Sequence, residues 1–265
     1  MISAAARKAF KGQAYLKFLA TVDGAGIPNV AAILSARMID DETFAFVRFM
    51  AWKTAHNLEA TRFASFGCIG PHGRAYLAAG EFDGWQTTGP LIDLFSSEAM
   101  YRYNAYMGAT HIGVVKVTEV RELPAGVIGP AFRARWRSSR GTGPGPMAAP
   151  VLDKWRRVLA AKCLAMVDGG RPLALPTMGA SPAGPDRLCF EIPGGHSLNG
   201  NGHPLSRLAP GAPLAAAVFT ADPSAFQVKG SFAGADGRGL GTMTVTEVYA
   251  ASPPIPGKRI YPPEP

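Results

Sequence analysis

Cysteine is scarce in this chain. Its three cysteines, Cys68, Cys163 and Cys189, lie far apart, and no two of them form a Cys-x-x-Cys pair. An odd, dispersed set of this kind predicts neither a disulfide framework nor a structural zinc site. The five histidines likewise show no His-Glu-x-x-His or related spacing, so the sequence predicts no metal site.

Long apolar runs are also missing. No segment approaches the 18 or so uninterrupted apolar residues that a membrane-spanning helix needs. The first 13 residues carry Arg7, Lys8 and Lys11 but no apolar stretch of the kind found in signal peptides. We therefore expect no membrane partner and a cytoplasmic location.

Charged residues are few, and acidic ones fewer than basic ones. Lys and Arg total 27 against 19 for Asp and Glu, which gives a net charge of +8. Such an excess can attract nucleic acid, an anionic membrane or a phosphorylated ligand. Its densest part is Arg133, Arg135, Arg137 and Arg140, but no recognisable nucleic-acid-binding motif accompanies it. A nucleic-acid partner is therefore not expected.

An internal repeat is the most informative feature of what the sequence does contain. Residues 18–28 are FLATVDGAGIP and residues 163–172 are CLAMVDGGRP. Pro172 follows Pro28 by 144 residues, and Phe190 follows Phe46 by the same distance. A register held over so many residues indicates two copies of one structural unit.

The correspondence continues along both copies. Residues 75–82 (AYLAAGEF) match residues 225–232 (AFQVKGSF), and the tetrapeptide VTEV occurs at both 117–120 and 245–248. The spacing places about 22 extra residues in the first copy, where we predict a helix from about Ser97 to Met107. Helices are also predicted over residues 53–61 and 151–161, the second from its apolar face.

Strands and turns should dominate each copy. Glycine and proline are abundant, with 31 and 23 residues, and Asp23-Gly24 and Asp168-Gly169 are typical hairpin turns between apolar runs. The Gly- and Pro-rich residues 141–150 are typical of a linker. We therefore predict a mainly β protein with a few helices. Its domains should be residues 1–130 and 151–265, joined by an Arg-rich and then Gly/Pro-rich linker at 131–150.

The order of motifs in the first copy resembles the opening of the FMN-binding split barrels of the pyridoxamine-phosphate-oxidase-like superfamily. The residues that carry the resemblance are Thr21, Val22, Asp23, Gly26, Pro28, Val30, Phe44, Phe46, Lys53, Thr54, Asn57 and Leu58. With the second copy included, the resemblance covers most of the chain outside the linker and the tails. It implies two tandem six-stranded split β-barrels that form a pseudo-dimer within one chain, with flavin in the groove between them.

The resemblance also implies that one barrel holds the flavin phosphate with basic and hydroxyl side chains. Lys53 and Thr54 stand at the start of the predicted helix 53–61, where side chains, unpaired N–H groups and the helix dipole would act together on an anion. Arg37 and Arg48, on the two preceding strands, and the neighbouring His56 complete the predicted cofactor-binding set.

The second copy departs from this pattern. When residues 56–58 (HNL) are aligned with 203–205 (HPL), Gly200 and Asn201 fall where Lys53 and Thr54 stand. Neither replacement carries a charge. We therefore expect the second phosphate site to be degenerate, and the second barrel to form the opposite wall of the first site.

Two basic segments outside the barrels are similar in position to the substrate-covering segments of related oxidases. Arg259 lies in the C-terminal segment 257–261 (GKRIY), and Arg135 and Arg137 lie in the linker. These three residues are the predicted ligands of an anionic substrate. The C-terminal segment does not match that of the oxidases residue for residue, so pyridoxamine-phosphate oxidase activity itself is not expected.

The function that the resemblance implies is FMN-dependent redox chemistry on a small organic substrate. No side chain is required as acid or base, since hydride transfer belongs to the cofactor, and no catalytic residue is assigned. Three alternatives stay open: a deazaflavin-dependent reductase, a haem-binding or haem-degrading split barrel, and a flavin-binding module without turnover. Whether two chains associate as a homodimer is open as well.

Overall fold

The computed structural model describes residues 2–98, 108–137, 143–193, 202–222 and 224–263. Two antiparallel sheets make up most of it, and short helices lie around them. The predicted mainly β fold is confirmed. None of the described helices combines the length and the apolar character that a bilayer-spanning helix requires.

The first sheet is built from the first half of the chain. Its strands are β1 (Lys17–Val22), β2 (Pro28–Ala32), β3 (Arg37–Met38), β4 (Thr43–Val47), β5 (Phe63–Ile69), β6 (Arg74–Gln86) and β7 (Ile112–Gly126). They lie in the order β2-β1-β5-β6-β7-β4-β3. Six of these strands have five residues or more, and β3 is a two-residue strand at the edge.

The second sheet is built from the second half of the chain. Its strands are β8 (Ala161–Asp168), β9 (Arg171–Thr177), β10 (Ser181–Gly184), β11 (Arg187–Glu191), β12 (Pro213–Phe219), β13 (Ala225–Ala235), β14 (Leu240–Ala250) and β15 (Arg259–Tyr261). The order is β9-β8-β12-β13-β14-β11-β10, with β15 added beside β14. Each sheet therefore contains six longer strands in the same order. The short β3, β10 and β15 raise the totals to seven and eight where six were predicted, because isolated two- to four-residue pairings leave little sequence pattern.

The two sheets also share their irregularities. The register of β6 against β7 shifts between Ala79 and Gly80, and that of β13 against β14 shifts between Lys229 and Gly230. A Cβ atom on Gly80 would lie 2.2 Å from a backbone oxygen of β7, and one on Gly230 only 1.8 Å from a backbone oxygen of β14. Both bulges therefore need glycine, since the neighbouring strand approaches too closely for any side chain.

Helices surround the sheets at the connections. They are α1 (Ala4–Lys11), α2 (Trp52–Thr61), α3 (Pro90–Ser96), α4 (Ile128–Arg137) and α5 (Ala149–Arg156), with 3₁₀ turns at Pro71–Gly73 and Pro204–Arg207. Helix α2 lies where a helix was predicted. Helix α5 ends five residues earlier than predicted, because a turn closed by the Ala160 N–H on the Arg157 carbonyl leads directly into β8.

Two other helices differ from expectation. A helix was predicted from about Ser97 to Met107, but Ser97 is the C-cap of α3. That helix begins at Pro90, a residue suited to the first turn. Residues 99–107 lie outside the described part of the chain. In the predicted linker, α4 forms because Ala131 and Ala134 are buried while Phe132 and Arg133 face solvent.

The two halves meet along a face of small residues. Eight buried side chains form the shared cluster: Phe18, Ala20, Val30, Cys163, Ala165, Ala174, Ala215 and Ala217. Beside this cluster, Gly67 lies against the Pro176 ring, which would be only 2.7 Å from a Cβ atom at Gly67. The Ala174 N–H donates to Ser65 Oγ at 3.0 Å across the contact. Because these residues are small, the sheets approach closely, and the edges of the contact remain as grooves.

Candidate cofactor groove

The larger groove, called the first groove below, has a volume of about 530 Å³. One wall comes from β2, the end of β4 and the start of α2, all in the first half of the chain. The other wall comes from β12, β13, the end of β14 and the segment that follows it, in the second half. The groove therefore exists only because the two halves pack together, as clefts between domains often do.

A buried polar network crosses the floor of the groove from one half to the other. Gln227 Nε2 donates to Asn29 Oδ1 at 3.1 Å and to the Val30 carbonyl at 2.5 Å. Asn29 Nδ2 in turn donates to Thr54 Oγ1 at 3.2 Å. The Thr54 hydroxyl is thus fixed as an acceptor by a buried donor, and its own proton is available to a ligand.

The start of α2 adds further donors. Its N-cap residue, Ala51, has no side chain that could accept a hydrogen bond, and no such cap bond is present. The first N–H groups of a helix have no partner within the helix, so here they remain available to an anion in the groove. Lys53 and Thr54 occupy the second and third positions of the same helix and line the groove.

Two lysines from different halves lie near the ring of Tyr249, which lines the groove. Lys53 Nζ lies 4.8 Å from the centre of the Tyr249 ring, and Lys229 Nζ lies 6.0 Å from the same ring. Lys229 is only 4% exposed. Burial and, next, the positive charge of Lys53 lower the pKa of Lys229 to about 7, against smaller opposing effects of Asp23 and Glu247. Among the described residues, neither lysine forms a salt bridge with a carboxylate.

The rim of the groove is apolar. Leu34, Met50 and Trp52 line it, and each exposes more than a third of its surface, with Trp52 at 66%. Opposite them are Pro253 and Pro256, in the segment between β14 and β15. Exposed apolar side chains gathered at one concave site are typical of ligand-binding surfaces. The groove therefore has one end suited to an anionic group and a mouth suited to a flat apolar one.

The remaining predicted cofactor ligands lie outside this lining. Arg37 forms an ion pair with Glu98 and stacks on the Phe95 ring, 4.2 Å from its centre. Arg48 lies 5.3 Å from the Trp52 ring centre and the same distance from that of Trp85. His56 is exposed on α2 and does not line the groove. Of the five predicted ligands, the structure brings Lys53 and Thr54 together in the groove.

None of the three predicted substrate ligands is among the described residues that line the groove. Arg135 and Arg137 belong to α4, but their side chains are outside the described part of the structure. Arg259 is in β15, which pairs with β14, and its buried Nε has no hydrogen-bond partner among the described residues. The segment just before Arg259, residues 250–257, does line the groove.

The sequence-based predictions included neither the groove residues Asn29, Gln227 and Tyr249 nor Lys229, which lies beside Tyr249. A signal for them was present in the repeat. The strand registers place Gln227 and Lys229 where the first copy has Leu77 and Ala79. Polar residues that replace apolar ones at equivalent positions indicate a site at one of the two grooves that the other groove lacks.

The equivalent groove on the opposite side, called the second groove below, is almost closed. Its volume is about 20 Å³, and Leu123, Val127 and Pro130, at or near the start of α4, contribute to its lining. His203 also lines it, and burial together with the charge of Arg121 lowers the His203 pKa to about 4. Residues 194–201, which include the Gly-rich segment of the second copy, lie outside the described residues.

Comparison with known proteins adds information on the fold only. No family model and no curated protein matches the chain. Among the solved structures that match is HupZ from Group A Streptococcus, at 24% identity over 48% of this chain and 97% of its own, with a TM-score of 0.39. An FMN-binding protein from Syntrophomonas wolfei subsp. wolfei matches at 20% identity over 46% of this chain and 85% of its own, with a TM-score of 0.40. A protein described as F420 reductase matches at 19% identity over 46% of this chain and 98% of its own, with a TM-score of 0.36.

Other matches are described as a putative pyridoxamine 5'-phosphate oxidase and a putative flavin reductase with a split barrel domain, which cover 40% and 42% of this chain. The resemblance predicted from the sequence motifs is confirmed to that extent. At these identities and TM-scores the likeness concerns the fold and carries no information on activity.

Proposed function

We propose that the chain is an FMN-dependent oxidoreductase that binds its flavin in the first groove and acts on a small organic substrate. The observation that carries the proposal is the division of one groove into a cationic, hydrogen-bonding end and an apolar mouth. FMN has the same division, with a dianionic phosphate at one end and a flat ring system at the other. The volume of about 530 Å³ lies within the range of about 300–1,000 Å³ typical of cofactor sites.

The residues present fit the phosphate well. The start of α2 offers N–H groups with no cap, Thr54 offers a hydroxyl held in place by Asn29, and Lys53 offers a positive charge. Charge-assisted hydrogen bonds from such donors are the strong class of phosphate contact. These groups would hold the phosphate, while the side chains of Leu34 and Trp52 would contact the apolar part of the flavin.

FMN would supply the redox chemistry by accepting and giving up a hydride. The chain's own contribution would be to bind and orient the flavin and to limit its contact with water. The segment over residues 250–257, which lines the groove opposite α2, is placed for the last of these tasks.

Among the alternatives, a haem protein is the least favoured by the groove. Of the described residues that line the first groove, none is histidine, so that lining offers no imidazole as an axial ligand. His203 lines the second groove, where its Nδ1 accepts a hydrogen bond from the Leu205 N–H. A deazaflavin would use the same phosphate-binding donors, and the test below distinguishes it by direct comparison.

We also propose that the two halves, residues 1–130 and 151–265, are copies of one module joined by residues 131–150. The common strand order and the matching bulges at Gly80 and Gly230 support this. In this proposal the first module anchors the cofactor and the second supplies the opposite wall.

The experiment is a titration of the purified, cofactor-free chain with FMN, followed by flavin fluorescence. We expect one FMN per chain. Lys53→Ala should weaken binding by about one to two decades, because it removes a charge-assisted hydrogen bond of about 1.5–3 kcal/mol. Lys116→Ala is the matched control, since Lys116 is exposed, outside the groove lining and paired with Asp83.

Asn201→Ala, in the second copy, should leave the affinity unchanged. Equal losses for Lys53→Ala and Asn201→Ala would mean that both copies hold a phosphate. Absence of FMN binding by the parent, with binding of a deazaflavin under the same conditions, would overturn the choice of cofactor. Binding of FMN unaffected by Lys53→Ala would place the flavin elsewhere in the molecule.

A further inference from the structure

The phosphate contacts proposed above involve Lys53 but do not account for the second lysine near it, Lys229. Lys53 comes from α2 in the first half, and Lys229 comes from β13 in the second. Both ammonium groups lie near the ring of Tyr249, which itself lines the groove. Two cations in such proximity repel each other, so the arrangement costs free energy unless something compensates for it.

The charged and titratable groups around Lys229 do not provide that compensation. From the first half it faces Lys53 and, at longer range, Asp23 after β1; from β14 it faces Glu247 and Tyr249. The Glu247 carboxylate accepts a hydrogen bond of 2.6 Å from the Tyr249 hydroxyl. Within the described residues, neither Glu247 nor Asp23 forms a salt bridge with Lys229. A buried lysine in these surroundings gives up its proton more easily than a free one.

We propose that Lys53 and Lys229 together form a clamp for a dianionic phosphate ester, and that the anion binds along with one proton, which Lys229 takes up from solvent. The inference rests on the proposed function for its ligand, the phosphate of FMN. Two negative charges placed between the lysines turn the repulsion into attraction, so that the protonated form of Lys229 becomes the stable one. No covalent bond is made or broken, and the only species transferred is the proton that moves from water to Lys229 Nζ.

The second groove supports the assignment, because neither of its equivalent positions holds a lysine. By strand register, Ala79 stands in the place of Lys229 and Arg121 in the place of Tyr249. The sequence alignment puts Gly200 in the place of Lys53. Lys53 therefore lines the open first groove and Lys229 lies behind its wall, next to Tyr249, whereas the almost closed second groove has no such pair at the equivalent positions.

The pH dependence follows from the pKa of Lys229, which burial and Lys53 lower to about 7. Below pH 7 Lys229 is already charged, and FMN binds without proton uptake at this residue. Above pH 7 it is neutral in the free protein, so binding takes up about one proton and the affinity falls by roughly tenfold per pH unit. The phosphate does not contribute to this uptake, because its second pKa, about 6, is already passed.

The test is isothermal titration calorimetry of the full chain with FMN at pH 8.5, in buffers of different ionisation enthalpy. The dependence of the observed enthalpy on the buffer gives the number of protons taken up, which we expect to be about one for the parent. Lys229→Arg keeps the charge at all these pH values and should bind FMN with no linked proton. Lys229→Met should bind at least tenfold more weakly at pH 6.5, also without proton uptake.

Lys53→Met supplies a second variant at an exposed position, where misfolding is not expected. It removes the repulsion that helps to discharge Lys229, so the proton uptake at pH 8.5 should fall below that of the parent. Riboflavin, which has the same ring system without the phosphate, should bind with no uptake in any variant. Proton uptake that persists in Lys229→Arg, or FMN binding by the parent with none, would overturn the inference and leave the proposed function intact.

If neither FMN nor riboflavin binds to the parent, the proposed function fails, and inorganic phosphate then serves as the probe of the clamp. Phosphate binding that is linked to a proton and lost in Lys229→Met would support the clamp for another phosphate ester. Absence of phosphate binding would overturn the clamp as well.

Discussion

The two grooves of this molecule are built on the same strand framework and differ in almost every property that matters for binding. The first has a volume of about 530 Å³ and a polar floor, whereas the second has about 20 Å³. Where the first groove has Asn29 and Gln227, the positions equivalent to them hold Leu173 and Leu77, both in the apolar core. A few side chains therefore decide which of two equivalent positions can hold a ligand.

The connection between the halves accounts for the rest of the difference. Val127 and Pro130, at the start of α4, line the second groove, and α4 is held to the second half by the bidentate pair of Arg133 with Glu191. At the first groove the corresponding segment is the chain after β14, which contributes a wall and leaves the space open. The segment that joins the two sheets occurs once in the chain, and its described residues contribute to the wall of the second groove alone.

Two histidines show the same contrast. His56 and His203 occupy matching positions in the sequence alignment, yet His56 is exposed on α2 while His203 is buried. Burial and Arg121 lower the pKa of His203 to about 4, so it stays neutral at physiological pH and its Nδ1 accepts from the Leu205 N–H. The same residue type is therefore at the surface in one half and buried in the other.

The strongest test of the equivalence of the halves is the deletion of a large core side chain in each. Phe46 and Phe190 are both fully buried, Phe46 against Phe66 and Trp85 and Phe190 against Phe232. Phe46→Ala and Phe190→Ala should each lower the free energy of unfolding by about 3–5 kcal/mol, through lost burial and the cavity left behind. Urea unfolding followed by circular dichroism measures both.

The control for these deletions is Phe132→Ala, at a position on α4 that is 57% exposed, where the change should stay below about 0.5 kcal/mol. A loss below about 1 kcal/mol at one of the two buried positions would show that the halves are not packed alike. A difference in the denaturant dependence between the two variants would show that the halves unfold separately.

The core positions Phe46 and Phe190 were predictable from the sequence, whereas most residues of the first groove were not. The repeat placed Phe46 and Phe190 in matching strands because alternation and turn residues are local properties of the chain. The partners of Arg37 are not local. Its ion pair with Glu98 joins residues 61 positions apart, and no sequence pattern indicates such a contact. The predicted pocket role of Arg37 rested on strand position alone.

The burial of Lys229 could not be predicted from the sequence either. A lysine within an apolar strand usually lies at the surface, and nothing near it in the sequence indicates burial. Of its neighbours in space, Lys53 comes from α2 in the other half of the chain and Tyr249 from β14. The start of α2 could be predicted because helix signals are local. The position of Lys229 near it could not, because that position depends on how the two sheets pack.

A second prediction exchanges a residue between the grooves. Gln227→Leu introduces into the polar floor the residue type that Leu77 supplies at the equivalent position. It should lower the free energy of unfolding by about 1–3 kcal/mol, because Asn29 and the buried Val30 carbonyl lose their hydrogen-bond donor. The double variant Gln227→Leu/Asn29→Leu should lose less than the sum of the two single variants, because replacing both partners removes the unsatisfied groups together.

Chemical unfolding of the parent, both single variants and the double variant gives the coupling free energy, which should be at least about 0.5 kcal/mol. Strictly additive losses would mean that the Gln227–Asn29 contact does not hold the floor together. Leu173→Val serves as the matched control in the second copy, where the packing is apolar and a loss of about 0.5–1.5 kcal/mol is expected from the smaller side chain alone.

The last prediction concerns buried lysines at matching positions, Lys17 at the start of β1 and Lys162 near the start of β8. Each donates to a backbone carbonyl, Lys17 to that of Gly12 and Lys162 to that of Ala180 at 2.8 Å. Burial lowers the pKa of both, and that of Lys162 to about 8. An unfolded lysine has a pKa near 10.4, so between pH 8 and 10 the unfolded chain binds a proton that the folded chain has lost.

The free energy of unfolding contributed by Lys162 should therefore rise with pH across this window, by about 1–2 kcal/mol between pH 7.5 and 9.5. Lys162→Met should lack that rise, so that the difference between parent and variant changes by the same amount over the window. Lys229 titrates in both proteins and cancels in the difference. Lys17→Met should show a change of the same sign, because burial dominates at both sites. A parent-minus-variant difference that stays constant with pH at Lys162 would mean that its ammonium reaches solvent. The second half would then be less tightly packed at this position than its strand register implies.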